Sequence, residues 1–192
     1  HPFLAELPSN PILDEPVILV KLGSQHSVTI PAGADYSIVM DGQGRRGEQK
    51  AESDVQIEFT GAGLKVGGSS SYAEQDVLIK ADPTVKVDGK LVHHPVRLVR
   101  AGDATICIAE LPIEEYVAGV VAGEMYLSWP LESLKAQAVA ARSYALAHML
   151  FRPAGQKWDV TAGTGHQMFA HIGKDSVAHK AALETRGIVL MY

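Results

Sequence analysis

The sequence contains one cysteine, Cys107, so it cannot close a disulfide within itself. Set in the apolar run Ala104 to Leu111, that thiol reads as a small buried hydrophobe, and it leaves the redox compartment undecided. Excess basic charge is also lacking, since 17 Lys and Arg stand against 22 Asp and Glu for a net charge of −5. That balance excludes a general electrostatic affinity for nucleic acid and gives no attraction to anionic membranes or acidic polymers. No run of about 18 apolar residues occurs, so no segment reads as a membrane span. Familiar catalytic motifs are missing as well. There is no G-x-S-x-G for a serine hydrolase, and His166 and His171 lack the H-E-x-x-H context of a zinc peptidase. His93 and His94 are adjacent in a segment read as strand, where they would face opposite ways. No metal or other cofactor is expected, and no internal repeat stands out.

What is present is ordinary globular material. With 46% hydrophobic and 20% charged residues over 192 positions, the chain can bury a core as one domain or a compact pair. Residues 1–15 begin His1-Pro2 and include Pro8 and Pro11, which reads as a linker or a trimmed terminus. At the other end Gly187 to Tyr192 has the character of a strand with no following turn or partner, as expected of a chain cut short.

Residues 16–111 alternate short apolar runs with turn residues, from Val17 to Leu22 through Thr105 to Ile108, and read as β-rich. Asp88-Gly89 is the strongest turn signal, because a type I′ hairpin needs positive φ at both central positions. Asp41-Gly42 and Gly102-Asp103 are similar, and Gly67 to Ser71 reads as a flexible loop. From Pro112 the pattern turns helical. Ile113, Tyr116, Val117 and Val120 share one face, Glu114 and Glu115 occupy the favourable first turn, and the helix should stop near Gly123. After a bridge of Glu124 to Leu127, Ser128 and Pro130 open a long Ala-rich helix to Leu150, read as central and buried on most sides. A short strand around Trp158 to Val160 and a helix over Ser176 to Thr185 follow. The expected class is therefore α+β: a β-rich N-terminal part with hairpins, then two helices, one long and Ala-rich, and a mixed C-terminal part over 112–192.

A carboxyl at a helix end among Met125, Tyr126, Leu127 and Trp129 can be kept protonated by desolvation and serve as a general acid. Glu124 fits that description, although most glutamates at helix ends are simply solvated. Glu114, Glu115, Glu132 and Asp159 are available second carboxylates, and sequence does not choose among them. Lys135, Gln137, Arg142 and Tyr144 interrupt the Ala-rich helix. A solvated stripe is their default reading and a ligand-facing groove the alternative. Gln167, in the Gly-rich loop Gly165-His166-Gln167, is either a surface amide or a ligand contact.

The run Leu111 to Ala147, LPIEEYVAGVVAGEMYLSWPLESLKAQAVAARSYALA, resembles the signature segment of the stage II sporulation protein D and amidase-enhancer (SpoIID/LytB) family. The likeness lies in Glu114-Glu115-Tyr116, Gly119-Val120-Val121, Glu124-Met125, Trp129-Pro130 and Leu134 through Arg142. Asp159-Val160, Gln167 and Ala181 to Tyr192 resemble later blocks, and VKVDGK resembles the approach to the signature. The resemblance implies an extracytoplasmic protein acting on peptidoglycan, either as a lytic transglycosylase on denuded glycan strands or as an enhancer of a cell-wall amidase. It implies that Glu124 is the catalytic acid and base, and Lys135, Gln137, Arg142, Tyr144 and Gln167 are the candidates for substrate binding or support beside it. A single carboxyl would suffice, because the muramic acid 6-hydroxyl rather than water closes on C1. The sequence departs from the family pattern at Tyr126, where proline is common, and in Thr161 to His166, which lacks the cysteine of a zinc cluster. It also lacks a later Ser-Gly-Gly segment.

Overall fold

The computed structural model describes residues 4–6, 15–24, 27–40, 44–60, 63–72, 76–102, 104–163 and 165–191. The expected turn at Asp41-Gly42 lies outside them, as does Asp103. In chain order the strands are β1 (Leu4–Glu6), β2 (Val17–Ser24), β3 (Ser27–Ile30), β4 (Asp35–Met40), β5 (Gly44–Lys50), β6 (Val55–Thr60), β7 (Gly63–Val66) and β8 (Ser69–Tyr72). Next come β9 (Asp76–Asp82), β10 (Val85–Val87), β11 (Lys90–Val92), β12 (Val96–Ala101) and β13 (Ala104–Pro112). The remainder is α1 (Ile113–Glu124), α2 (Leu131–Leu150), β14 (Val160–Thr161), α3 (Val177–Glu184) and β15 (Ile188–Leu190). The class is α+β, with the β-rich part first.

The chain forms two compact units, one made of residues 1–20 and 111–192, the other of residues 21–110. In the second unit, period-two burial along the strands follows the apolar alternation of the sequence. Val28 and Ile30 of β3, Ile38 of β4, Val77 and Ile79 of β9 and Leu98 of β12 are almost wholly enclosed. One sheet has the strand order β11-β10-β3-β6-β7-β8, every pairing antiparallel. Another runs β13-β12-β9-β4-β5, again antiparallel. Asp88 (φ 53°) and Gly89 (φ 71°) close the β10–β11 hairpin in the expected positive-φ geometry. Cys107 is fully enclosed in β13. His93 and His94 fall between β11 and β12 and belong to no strand.

In the first unit the buried helix is α1, not α2. Ile113, Tyr116, Val117, Ala118, Val120 and Val121 are all enclosed, whereas α2 buries a single stripe of Leu134, Ala138, Ala141, Arg142 and Ala145. Alanine lets α2 approach α3, whose Ala178, Ala181 and Ala182 are likewise buried, without giving α2 enough bulk to be a core on its own. The first N–H groups of α1 are satisfied from residues 15 and 16: Ile113 N donates to Pro16 O at 2.9 Å and Glu114 N to Glu15 Oε1 at 2.9 Å. Leu4–Glu6, inside the stretch read as a linker, forms an antiparallel pair with β15 in the register Leu4↔Leu190. The terminal strand thus has a partner, supplied from the far end of the sequence.

Candidate functional site

Glu124 is the last residue of α1, which runs one residue beyond its expected end at Gly123. It is exposed, as are Tyr126, Leu127 and Trp129, so the enclosure anticipated from its apolar neighbours is not provided within this unit. Its Oε1 accepts a hydrogen bond from the Met168 amide at 2.8 Å. Among the described residues Oε2 has no partner.

What brings Met168 there is a pair of glycines on α1. A β-carbon at Gly123 would lie 2.5 Å from the Met168 carbonyl oxygen and 2.8 Å from its carbon. A β-carbon at Gly119 would collide with the Phe169 ring and the Ala170 carbonyl. Glycine at these two positions therefore lets an extended segment, residues 167–170, lie directly on the helix. That contact is sealed by Ala170 N donating to the Gly119 carbonyl at 3.0 Å, and by Tyr116 and Phe169 rings stacked at 5.8 Å and 8°. In the sequence Gly123 marks only the expected end of the helix, and Gly119 only part of the signature likeness. Their spacing of four, placing both on one face, was the signal of close approach.

The segment and α2 carry further polar groups. Tyr116, fully buried, donates its hydroxyl to Gln167 Oε1 at 3.0 Å. Burial, with Tyr144 and the Glu124 carboxylate contributing, pushes the Tyr116 phenol well above its usual range, so it stays protonated. Tyr144 Oη lies 3.1 Å from His166 Nδ1. The His148 ring sits 4.3 Å from that of Tyr144 and 4.7 Å from that of His166, centroid to centroid. Burial, and secondarily His148, lowers the His166 pKa. Gln137 is half-buried on α2, seven residues before Tyr144 and so on the same face, and among the described residues its side chain has no hydrogen-bond partner.

Arg142 has a framework role in place of the ligand-facing one expected. It is 1% exposed. Nε and Nη2 pair with the two oxygens of Glu114 at 2.9 and 2.5 Å, Nη1 donates to Ile188 O at 3.1 Å and Nη2 to Ala182 O at 3.0 Å. One guanidinium thus joins α1, α2, α3 and β15, and it has no face left for a ligand. Lys135 is likewise engaged, bridging Glu132 at 3.1 Å and Glu184 at 3.4 Å. The candidate second carboxylates are all occupied elsewhere. Glu114 holds Arg142, Glu132 holds Lys135, and Glu115 lies 3.7 Å from Lys174. Asp159 is buried, accepting from Leu19 N at 2.8 Å and Arg152 at 3.1 Å. Among the described residues no group of three or more His, Cys, Asp or Glu is placed to hold a metal ion.

Comparison with known proteins places this site in a family. Residues 101–192 match the SpoIID (stage II sporulation protein) family. Through these residues the chain belongs to the SpoIID family. It is 32% identical over 145 residues to an uncharacterized protein of Brachyspira hyodysenteriae, covering 71% of this chain and 39% of that protein. It is 36% identical over 86 residues to the stage II sporulation protein D of Bacillus subtilis, covering 45% and 25%. A protein of the same organism named amidase enhancer is 38% identical over 74 residues, covering 38% and 10%. The chain therefore matches well under half the length of each of these relatives. Glu124, the glycine pair, the Arg142 clamp and Gln167 all lie within the SpoIID-family segment.

Proposed function

We propose that the SpoIID-family unit acts on cell-wall peptidoglycan outside the cytoplasm, as a lytic transglycosylase on denuded glycan strands, with Glu124 as the single acid and base. The observation that carries this reading is the state of Glu124: an exposed carboxylate seated through Oε1 on the Met168 amide, with Oε2 unengaged among the described residues. A fixed orientation with one working oxygen is what proton transfer to a glycosidic oxygen requires. In the first step the Glu124 carboxyl protonates the bridging oxygen as the C1–O bond breaks, and the resulting carboxylate faces the oxocarbenium-like sugar. In the second it takes the proton of the muramic acid 6-hydroxyl as that oxygen bonds to C1. An anhydro sugar forms and no water is consumed. Occupation of the other carboxylates by structural partners agrees with a one-carboxylate scheme. Exclusion of water around Glu124 would come from the glycan itself.

The test is incubation of the protein with purified denuded strands and mass analysis of products. Anhydromuramyl ends are expected from the parent and none from Glu124→Gln. Release at equal rates by both would sink the assignment. A second reading is favoured by the relative named amidase enhancer: binding the wall and stimulating a separate amidase. In that case adding the protein to such an amidase accelerates stem-peptide release, and Glu124→Gln does so equally well.

A further inference from the structure

We propose, building on the glycan-cleaving reading above, that Tyr116 is a positioning residue that fixes the Gln167 amide so that its Nε2 donates to the acetamido carbonyl of a bound N-acetyl sugar. Tyr116 is fully enclosed, and a buried hydroxyl proton without an acceptor is costly. Its acceptor is Gln167 Oε1 at 3.0 Å. Turning the amide over would present an NH₂ group to the phenol and strand the hydroxyl proton, so the pairing decides which end of the amide faces outward. The backbone of Gln167 is pinned on both sides: its carbonyl accepts from Gly163 N at 3.3 Å, and the next amide, Met168 N, holds Glu124 at 2.8 Å. Residue 167 is half-buried, and among the described residues Nε2 has no partner. Consecutive residues thus seat the carboxylate, through the Met168 amide, and offer the N–H donors of the Gln167 side chain.

An NH₂ group with two donors and no acceptor matches an acceptor-only oxygen better than a hydroxyl, which also needs somewhere to donate. On a strand without stem peptides the ring and bridging ether oxygens also accept without donating but are weak acceptors, and the strong ones are the acetamido carbonyls and the lactyl carboxylates. The carboxylate would bring a second negative charge toward Glu124 on a chain of net charge −5, which disfavours it. The acetamido carbonyl is the occupant that remains.

Equilibrium binding in a Glu124→Gln background, where nothing is cleaved, tests this with two probes: denuded glycan strands and the same strands chemically de-N-acetylated. Against N-acetylated strands, adding Gln167→Ala or Tyr116→Phe is expected to weaken binding by about five- to tenfold, the loss of one directed hydrogen bond. Gln167→Glu, which keeps an acceptor for Tyr116 but removes the outward donors, should weaken it at least as much. Against de-N-acetylated strands all these variants should bind like their background, a selectivity that a general loosening of the fold would not produce. Parental binding of N-acetylated strands by Gln167→Ala and Tyr116→Phe overturns the proposal, and so does an equal loss on both probes. If the Glu124→Gln background binds neither probe, the glycan reading itself fails and takes this one with it.

Discussion

Replacing Gly123 by alanine separates the placement of Glu124 from its chemistry. The new β-carbon would stand 2.5 Å from the Met168 carbonyl oxygen, whereas ordinary contact begins at 3.4 Å, so the backbone of residues 167–170 must withdraw by about 0.9 Å. The obstacle is main chain, and no side-chain rotamer relieves it. The Met168 N–H to Glu124 Oε1 bond, 2.8 Å in the parent, stretches beyond hydrogen-bonding range if the withdrawal runs along it. Alanine returns about 1 kcal/mol of helix propensity, while overpacking costs about 1–3 kcal/mol. The net change is thus within about 2 kcal/mol, too small to unfold a domain of ordinary stability. The expected result is a folded Gly123→Ala protein whose glycan cleavage falls by about ten- to a hundredfold, because a carboxyl displaced by about 1 Å loses its alignment. Amide hydrogen exchange reports the same event without relying on activity: protection of the Met168 N–H should drop while that of α2 stays. Parental cleavage together with unchanged Met168 protection would refute the reasoning.

Two further outcomes follow from the same unit. Arg142→Leu leaves the Glu114 carboxylate enclosed without its partner and should cost about 3–5 kcal/mol in urea unfolding, much of it recovered when Glu114→Leu is added. A single variant no less stable than the parent would show that the pair is dispensable. Burial, and secondarily His148, holds the His166 pKa below the ordinary histidine value. The unfolded chain therefore binds protons more readily, and the stability due to this group is full above pH of about 6.5 and declines as pH falls below it. Calorimetry between about pH 7.5 and 5.5 should show a steeper fall in Tm for the parent than for His166→Asn, and equal slopes would remove His166 from the account.

Local rules were legible in the sequence and long-range ones were not. Asp88-Gly89 and the third helix depend on residues near one another and were readable, and the change of pattern at Pro112 marked the start of α1 although its cap comes from residues 15 and 16. The strands that escaped were edges. β5 (GRRGEQK) contains no apolar residue and β8 (SSSY) only the final tyrosine, yet both sit at the rim of a sheet, where polar residues suit a strand with one open side. Alanine richness made α2 look central, because helix propensity says nothing of how many neighbours surround a helix. At the site, Glu124 and Gln167 were open candidates from their local context, and the motif resemblance singled them out. Tyr116, His148 and the Met168 amide could not be found that way, since their roles depend on a segment 44 residues beyond Glu124 folding back onto α1. Arg142 looked like a binding residue for the same reason that it is a clamp: a guanidinium on an apolar helix must be answered, and here the answer is internal.

The pairing of Leu4 with Leu190 carries a consequence for synthesis. A ribosome releases β1 long before β15 exists, and the α1 cap at residues 15 and 16 likewise waits for Ile113 and Glu114. Residues 21–110 are contiguous, and their pairings, β3 with β10 and β4 with β9 among them, can form before α1 is made. The unit that contains Glu124 instead depends on contacts spanning almost the whole chain, the kind whose loop-closure entropy slows folding. The seat of Glu124 on the Met168 amide therefore forms after the β-rich unit has been able to close.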